Sequence, residues 1–336
     1  MRPTRRSLVT SIKITCALAF ALAGAGARAG ARAQTSRETP QTVVVPRNSP
    51  SPETPPDPDP SLTLLDVSVT DDYGRNVSGL SRDAFAVYEG DKEQELLYFD
   101  ASEAPQGVGI VFDVSRSMKD TAALEFARGA IVRFVRQAHA SNEYFVVGFD
   151  GSARLLADWT RDQTELIVGL NKLAHIEPRR SGTALYDALA LAVEKVARGP
   201  RLRPVLVLVS DGRDTESNTK LSTLREMLRR TRVTLYAVRV TDDNVVSEPV
   251  PTELEELTRM TGGRVFDAST AAGISDAFQR VGLDLHNLYT LGFKPSASDG
   301  KWRKLKVKVK PPPKWPHVNA RAREGFYPDA AAPIKR

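Results

Sequence analysis

Hard oxygen ligands recur in this sequence at three points where a predicted strand gives way to a predicted helix. An apolar run at 108–112 is followed by one carboxylate and two hydroxyls in alternation, and the more apolar run at 205–209 is followed by a second carboxylate. A loop between these runs carries a third hydroxyl. The residues are Asp113, Ser115, Ser117, Thr183 and Asp211. Such oxygens suit hard cations, so the pattern indicates a metal site.

Each motif alone has a simpler interpretation, because Asp and Ser are also favoured helix N-caps. The predicted fold favours the metal. From residue 107 strands and helices alternate, which is typical of a mainly parallel sheet covered by helices. The carboxyl ends of such strands meet in one crevice, where the five side chains should converge. Three neutral hydroxyls would leave a divalent cation under-neutralised, so it would attract an acidic group from another molecule.

The three segments, in this order and on this alternation, resemble the metal-ion-dependent adhesion site of von Willebrand factor type A domains. The resemblance covers about Gly107 to Leu288. It implies an α/β fold with a Rossmann-like, doubly wound, mainly parallel sheet. It also implies Mg²⁺ as the cation, with Mn²⁺ or Ca²⁺ as alternatives, and a protein partner whose exposed Asp or Glu completes the metal shell.

The same resemblance implies a role for each residue of the site. The implied ligands are Ser115, Ser117 and Thr183 in direct contact, and Asp113 and Asp211 directly or through water. Arg116 departs from the family pattern, since many members have Gly there. Its charge should favour acidic partners or weaken metal affinity. Two nearby acids, Asp187 and Asp214, are interpreted as surface or outer residues of the site.

Short predicted strands flank the type A region, assigned to 105–288. Residues 61–104 and 289–328 each supply about three, too few for a two-layer core. We therefore expect both groups to form one small β-sandwich around the type A domain. The competing layout is a separate N-terminal module, with the C-terminal strands extending the type A sheet. Segments such as 69–80 and 289–293 also resemble a subgroup of exported bacterial type A proteins.

The N-terminal residues 1–33 are typical of an export signal, with a basic start, an apolar run at 14–25 and a small-residue cleavage site. The run is short for a membrane span, although an uncleaved anchor is the alternative. Arg5 and Arg6 also fit a twin-arginine signal. We expect a periplasmic or extracellular protein. The eight prolines of residues 34–60 indicate a disordered linker.

Composition disfavours several other functions. Residues 1–33 hold six basic residues and no acid, which accounts for the whole formal charge of +6 and leaves no electrostatic case for nucleic-acid binding. Cys16, the only cysteine, lies in the predicted signal. No Gly-x-Ser-x-Gly motif or paired histidine suggests a hydrolase. The alternating lysines of 304–310 could form a polyanion- or membrane-binding face, but a half-buried strand protected from edge pairing is favoured. Residues 329–336 are a predicted tail.

These observations predict an exported, non-enzymatic protein-binding protein of the adhesion or scaffold kind, without a membrane span in the mature chain. It would present a divalent cation to an acidic residue of a partner. The alternative is a structural scaffold whose metal site is vestigial or only stabilising.

Overall fold

The computed structural model describes residues 43–44, 58–119, 123–174, 182–200, 203–241, 253–311 and 317–328. The predicted export signal, most of the proline-rich linker and the tail lie outside the described residues. Within the described ranges, every helix is too short or too polar to cross a bilayer.

The elements of these ranges are numbered in chain order. The strands are β1 Val43–Val44, β2 Thr63–Thr70, β3 Val77–Ser78, β4 Phe85–Glu89, β5 Lys92–Gln94, β6 Leu96–Asp100, β7 Gln106–Asp113, β8 Glu143–Phe149, β9 Ala153–Thr160, β10 Arg203–Ser210, β11 Thr234–Val240, β12 Val265–Ala268, β13 Tyr289–Phe293, β14 Arg303–Val309, β15 Asn319–Arg321 and β16 Gly325–Phe326. The α-helices are α1 Arg116–Lys119, α2 Ala123–Gln137, α3 Gln163–Ala174, α4 Leu185–Ala197, α5 Leu221–Arg230, α6 Glu253–Thr261 and α7 Ala271–His286.

The central sheet has the strand order β12-β11-β10-β7-β8-β9. Its neighbours run parallel, except that β8 and β9 form an antiparallel pair. Helices α2, α3 and α7 pack on one face, and α4, α5 and α6 on the other. The middle strands β7 and β10 are therefore buried on both faces, which explains their nearly continuous apolar sequences. This arrangement confirms the predicted doubly wound, mainly parallel α/β fold.

Two four-stranded antiparallel sheets form a β-sandwich beside the central sheet. Their orders are β15-β2-β13-β6 and β16-β14-β4-β5, so each sheet combines strands from before and after the α/β region. Leu65, Phe85, Tyr289, Leu305 and other apolar residues form the core between them. The small β-sandwich expected from the sequence is thus present, and the C-terminal strands join it rather than the central sheet.

Some element boundaries differ from the sequence predictions. The single strand predicted for 318–327 is two short strands, β15 and β16, separated by a segment in which Glu324 N–H donates to the Met260 carbonyl at 3.1 Å. The short strands β3 and β5 were not predicted. β1, which lies within the proline-rich segment, pairs in parallel with β3.

The lysine-rich strand β14 is half-buried, as favoured from the sequence. Its lysines are exposed and alternate with the buried or half-buried Leu305, Val307 and Val309. It pairs with β4 along its length but with β16 only at Arg303 and Lys304.

A buried ionic network joins the sandwich to the α/β region. Asp66 on β2 accepts hydrogen bonds from Arg232 at 2.7 Å and from the Thr290 hydroxyl at 2.9 Å. Arg203, the first residue of β10, donates to Asp100 at 2.9 Å. Burial alone would raise the pKa of Asp66, but Arg232 and Arg203 outweigh it and hold the pKa below the ordinary 3.8. The Asp66 carboxylate is therefore stabilised in its charged form across the junction.

Replacing Asp66 should destabilise the protein in a pH-dependent way. Because its folded pKa is depressed, its contribution is fully present above pH 3.8 and is lost as pH falls through the lower folded-state value. Asp66→Asn should cost about 3 kcal/mol at pH 7, since it leaves buried arginine charge uncompensated. The difference from wild type, measured by urea unfolding, should shrink below pH 3.8. The exposed Asp91→Asn is the control, and a constant Asp66→Asn deficit down to acid pH would contradict this account.

Ending the chain at Leu288 should disrupt the sandwich. The truncation removes β13 to β16, so β2 loses both of its antiparallel partners and β6 loses β13. Residues 61–104 would then expose apolar side chains such as Leu65 and Val67, which are fully buried in the intact chain. Limited proteolysis should cut this segment rapidly, and size-exclusion chromatography should detect aggregates. A monomeric truncated protein with a resistant 61–104 segment would argue against the shared core.

Candidate metal site

Asp113 lies at the carboxyl end of β7 and is fully buried. One carboxylate oxygen, Oδ1, accepts the Ser115 backbone N–H at 2.8 Å, and Oδ2 accepts the Ser210 hydroxyl at 2.6 Å. The register between β7 and β10 pairs Phe112 with Val209, which places Asp113 beside Ser210. The adjacent strand ends therefore fix both oxygens of this carboxylate.

Ser115, Ser117 and Asp211 are brought together above this buried acid. The Ser115 and Ser117 hydroxyl oxygens lie 3.2 Å apart, and the Ser117 hydroxyl donates to Asp211 Oδ2 at 2.9 Å. With the Ser115 backbone bond to Asp113, four of the five predicted ligands belong to one hydrogen-bonded cluster. The sequence separation of about a hundred residues between the two acids is closed by the parallel strands.

Thr183 lies at the same edge of the sheet, held through its backbone. The following residue, Ala184, donates to the carbonyl of Asp150, which comes directly after β8, at 2.7 Å. Thr183 N–H donates to the Thr215 hydroxyl at 2.9 Å, and its carbonyl accepts the Thr215 N–H at 2.9 Å. The threonine is thus positioned between the end of β8 and the loop that follows Asp211. Ser181, in the same predicted motif, lies outside the described residues.

Asp187 and Asp214 have a clearer role than the sequence indicated. Asp187 accepts the backbone N–H of Asn218 at 3.0 Å and of Thr219 at 2.8 Å. Asp214 accepts the Tyr186 N–H at 3.1 Å. The two carboxylates fasten the start of α4 to the loop after β10, and so hold Thr183 beside that loop. Their pairing with a distant loop could not be read from a single sequence.

The electrostatics of the site differ from those of an ordinary surface acid. Burial raises the pKa of Asp113 to about 6, and the neighbouring charge of Asp211 adds to the rise. The hydrogen bonds from Ser115 and Ser210 act in the opposite direction. A bound divalent cation would favour the charged form of Asp113. The two carboxylates and three hydroxyls are also the oxygen donors that hard cations prefer. Among the described residues there is no group of three or more His, Cys, Asp or Glu that could hold a metal ion. The candidate site contains only two carboxylates, and its other three side-chain oxygens are hydroxyls.

Arg116, the first residue of α1, is exposed beside the cluster. Its position follows from its place between Ser115 and Ser117. The predicted positive charge next to the site therefore agrees with the location of Arg116 in the structure.

A cleft lies at the opposite end of the sheet. It has a volume of about 370 Å³ and is lined partly by Gln106, Phe134, His139, Phe278 and His286. The His286 Nδ1 lies 2.8 Å from a carboxylate oxygen of Glu103, and the ring of His139 accepts the Ser141 N–H at 3.1 Å. His317 is exposed, and His175 lies outside the described residues.

Comparison with known proteins matches the α/β region to one family. The sequence model of the von Willebrand factor type A domain matches residues 108–280. A search of curated proteins gave no significant match.

Solved structures similar to this chain include three type A proteins. A von Willebrand factor type A protein from Catenulispora acidiphila is 12% identical, covering 73% of this chain and 77% of that one, with a TM-score of 0.47. The von Willebrand domain of the type V pilus tip protein Mfa5 from Porphyromonas gingivalis is 15% identical, covering 54% and 95%, with a TM-score of 0.44. Proximal thread matrix protein 1 from the mussel byssus, with a zinc-occupied adhesion site, is 19% identical, covering 57% and 48%, with a TM-score of 0.47.

The chain thus spans about half the length of the mussel protein. The match at 108–280 covers just over half of this chain and contains all five predicted metal ligands. The protein belongs to the von Willebrand factor type A domain family.

Proposed function

We propose that this protein is an exported, non-enzymatic protein-binding module of the adhesion or scaffold kind. Asp113, Ser115, Ser117, Thr183 and Asp211 would hold Mg²⁺, or Mn²⁺ or Ca²⁺ in its place. An exposed Asp or Glu of a protein partner would complete the metal shell, with Arg116 beside it.

The observation that carries the proposal is the clustering of four of these residues, Asp113, Ser115, Ser117 and Asp211, at an accessible edge of a buried sheet. Ser117 and Asp211 are joined at 2.9 Å although they come from different strand ends. Asp113 is buried beneath them with a raised pKa, so the site has an interior acid that a cation would stabilise in its charged form. Hydroxyl ligands leave much of the cation charge available to an outside carboxylate.

A second candidate is a scaffold whose metal site is vestigial or only stabilising. Two hydrogen bonds favour it: the Ser117 hydroxyl donates to Asp211 and the Ser210 hydroxyl donates to Asp113, so both carboxylates have partners within the protein. Under this alternative, metal would change stability without changing partner binding.

Export and domain organisation complete the proposal. Residues 1–33 would be the signal and 34–60 the linker. The sandwich would comprise 61–104 and 289–328, and the type A domain 105–288. The protein would act in the periplasm or outside the cell.

Asp113→Asn should abolish Mg²⁺ binding while the fold is retained. The amide keeps the shape of the side chain but removes the charge that the cation needs. For wild type, Mg²⁺ at a hundred times its dissociation constant should add about 2.7 kcal/mol to the free energy of unfolding. Titration calorimetry and thermal melting measure both effects, with circular dichroism to verify folding. Asp91→Asn, in a sandwich turn, is the matched control. Equal Mg²⁺ binding by wild type and Asp113→Asn would show that the site is assigned wrongly.

Partner binding should require the metal. Proteins captured by the immobilised wild-type chain in Mg²⁺ should be released by EDTA and should not be captured by Asp113→Asn. Moderate salt should weaken capture only partly, because a metal–carboxylate bond is screened less than a surface ion pair. Capture that persists in EDTA would move the interaction to another surface. A metal that raises the melting temperature without affecting capture would favour the scaffold alternative.

A further inference from the structure

The loop after Asp211 presents an exposed arginine beside the candidate metal site. Arg213 N–H donates to Asp211 Oδ1 at 3.1 Å, and its guanidinium Nε lies 4.0 Å from Asp211 Oδ2. That same oxygen accepts the Ser117 hydroxyl at 2.9 Å. The Arg213 side chain is 79% exposed, so most of its hydrogen-bonding edge faces solvent where a partner would approach.

The position of Arg213 is fixed by the hydrogen bonds that build the site. Gly212 has φ +88°, and its N–H donates to the Ser210 hydroxyl at 3.0 Å. That hydroxyl in turn donates to Asp113 at 2.6 Å. A side chain at 212 would be strained in this left-handed turn and would come within 2.9 Å of Leu254. The same short backbone segment therefore positions both Asp211 and Arg213.

A second basic residue adjoins the Ser117–Asp211 pair. Arg116 immediately precedes Ser117 and is exposed. Within the described ranges, no carboxylate forms an ion pair with Arg116. The nearby acid Asp211 is paired with Arg213, whose Nε lies 4.0 Å from Asp211 Oδ2. Arg213 and Arg116 thus place two exposed basic residues next to the residues that an incoming carboxylate would approach.

A single partner carboxylate cannot serve both the cation and these arginines well. Arginine frequently binds carboxylates through two parallel N–H donors, a geometry that uses both oxygens of one carboxylate. A carboxylate bound to the cation has at least one oxygen committed to it. A neighbouring second acid would satisfy the guanidinium edge without competing for the metal.

Building on the proposed function, we infer that the partner segment carries two acidic residues close together in sequence. One carboxylate coordinates the cation, and the second pairs with Arg213, with Arg116 adding to the attraction. Arg213 is then a specificity-determining residue that selects paired acids over single ones.

Selection from a phage-displayed random peptide library tests this inference. Wild type and Arg213→Gln would be panned in Mg²⁺, and bound phage would be eluted with EDTA. Wild type should enrich peptides with two acids within three residues, whereas Arg213→Gln should accept peptides with one acid. Enriched peptides would then be synthesised with both acids, or with the second acid replaced by its amide. Arg82→Gln, an exposed arginine of the sandwich, is the control.

The binding constants of these peptides distinguish the inference from the proposed function. For the two-acid peptide at saturating Mg²⁺, with the saturation of each protein verified by calorimetry, Arg213→Gln should weaken binding about fivefold and reduce its salt dependence. For the one-acid peptide, the two proteins should bind equally. Metal-dependent enrichment of single-acid peptides by wild type, or equal affinity of both proteins for the two-acid peptide, would overturn this inference while leaving the metal-bridged function intact. Enrichment that EDTA does not release would overturn both.

Discussion

The parallel register between β7 and β10 is the constraint on which the candidate site depends. It pairs Phe112 with Val209, so the next residue of each strand, Asp113 and Ser210, meet at the sheet edge. A slip of one residue would turn Asp113 to the other face. The register is secured by apolar packing: at Gly109 there is no room for a side chain, because Phe145 and Leu206 occupy that space. The position of the polar cluster is thus set by residues that carry no charge.

Two buried aspartates in this chain, Asp66 and Asp113, have opposite pKa shifts. The difference distinguishes an acid of the structural junction from an acid of the candidate site. Burial acts on both in the same direction. At Asp66 it is outweighed by Arg232 and Arg203, and the pKa lies below 3.8. At Asp113 the hydrogen bonds come from a backbone N–H and a hydroxyl, Asp211 adds negative charge, and the pKa rises to about 6. The negative charge of Asp66 is balanced by arginines of the protein itself. The negative charge of Asp113 would be balanced by a bound cation. Perturbed acids of this second kind are concentrated at functional sites.

The sequence was most informative where local pattern and tertiary structure agree. The buried strands β7 and β10 and the alternation around them predicted the α/β fold, and the oxygen-rich strand ends predicted which residues would meet. Three things depended on contacts between distant segments. Asp187 and Asp214 tie α4 to the loop after β10, a pairing that no spacing reveals. Arg213 is noticeable only because Gly212 turns it towards Asp211. The 318–327 segment has strand-forming residues, yet its pairing breaks where Glu324 N–H bonds to Met260.

The insertion of the α/β region into the sandwich separates the candidate site from the rest of the chain. The chain enters β7 from β6 and leaves α7 into β13, and both crossings lie at the amino end of β7. β10 runs in the same direction: its amino end is Arg203 in the ionic junction, and its carboxyl end is Ser210 beside Asp113. An eight-residue strand spans about 25 Å, so the site lies about that distance from the junction. β1 pairs in parallel with β3, whose Val77 belongs to the sandwich core. The candidate site and the ionic junction therefore lie at opposite ends of the same strand, so the polar cluster is separated from the sandwich by the length of the central sheet.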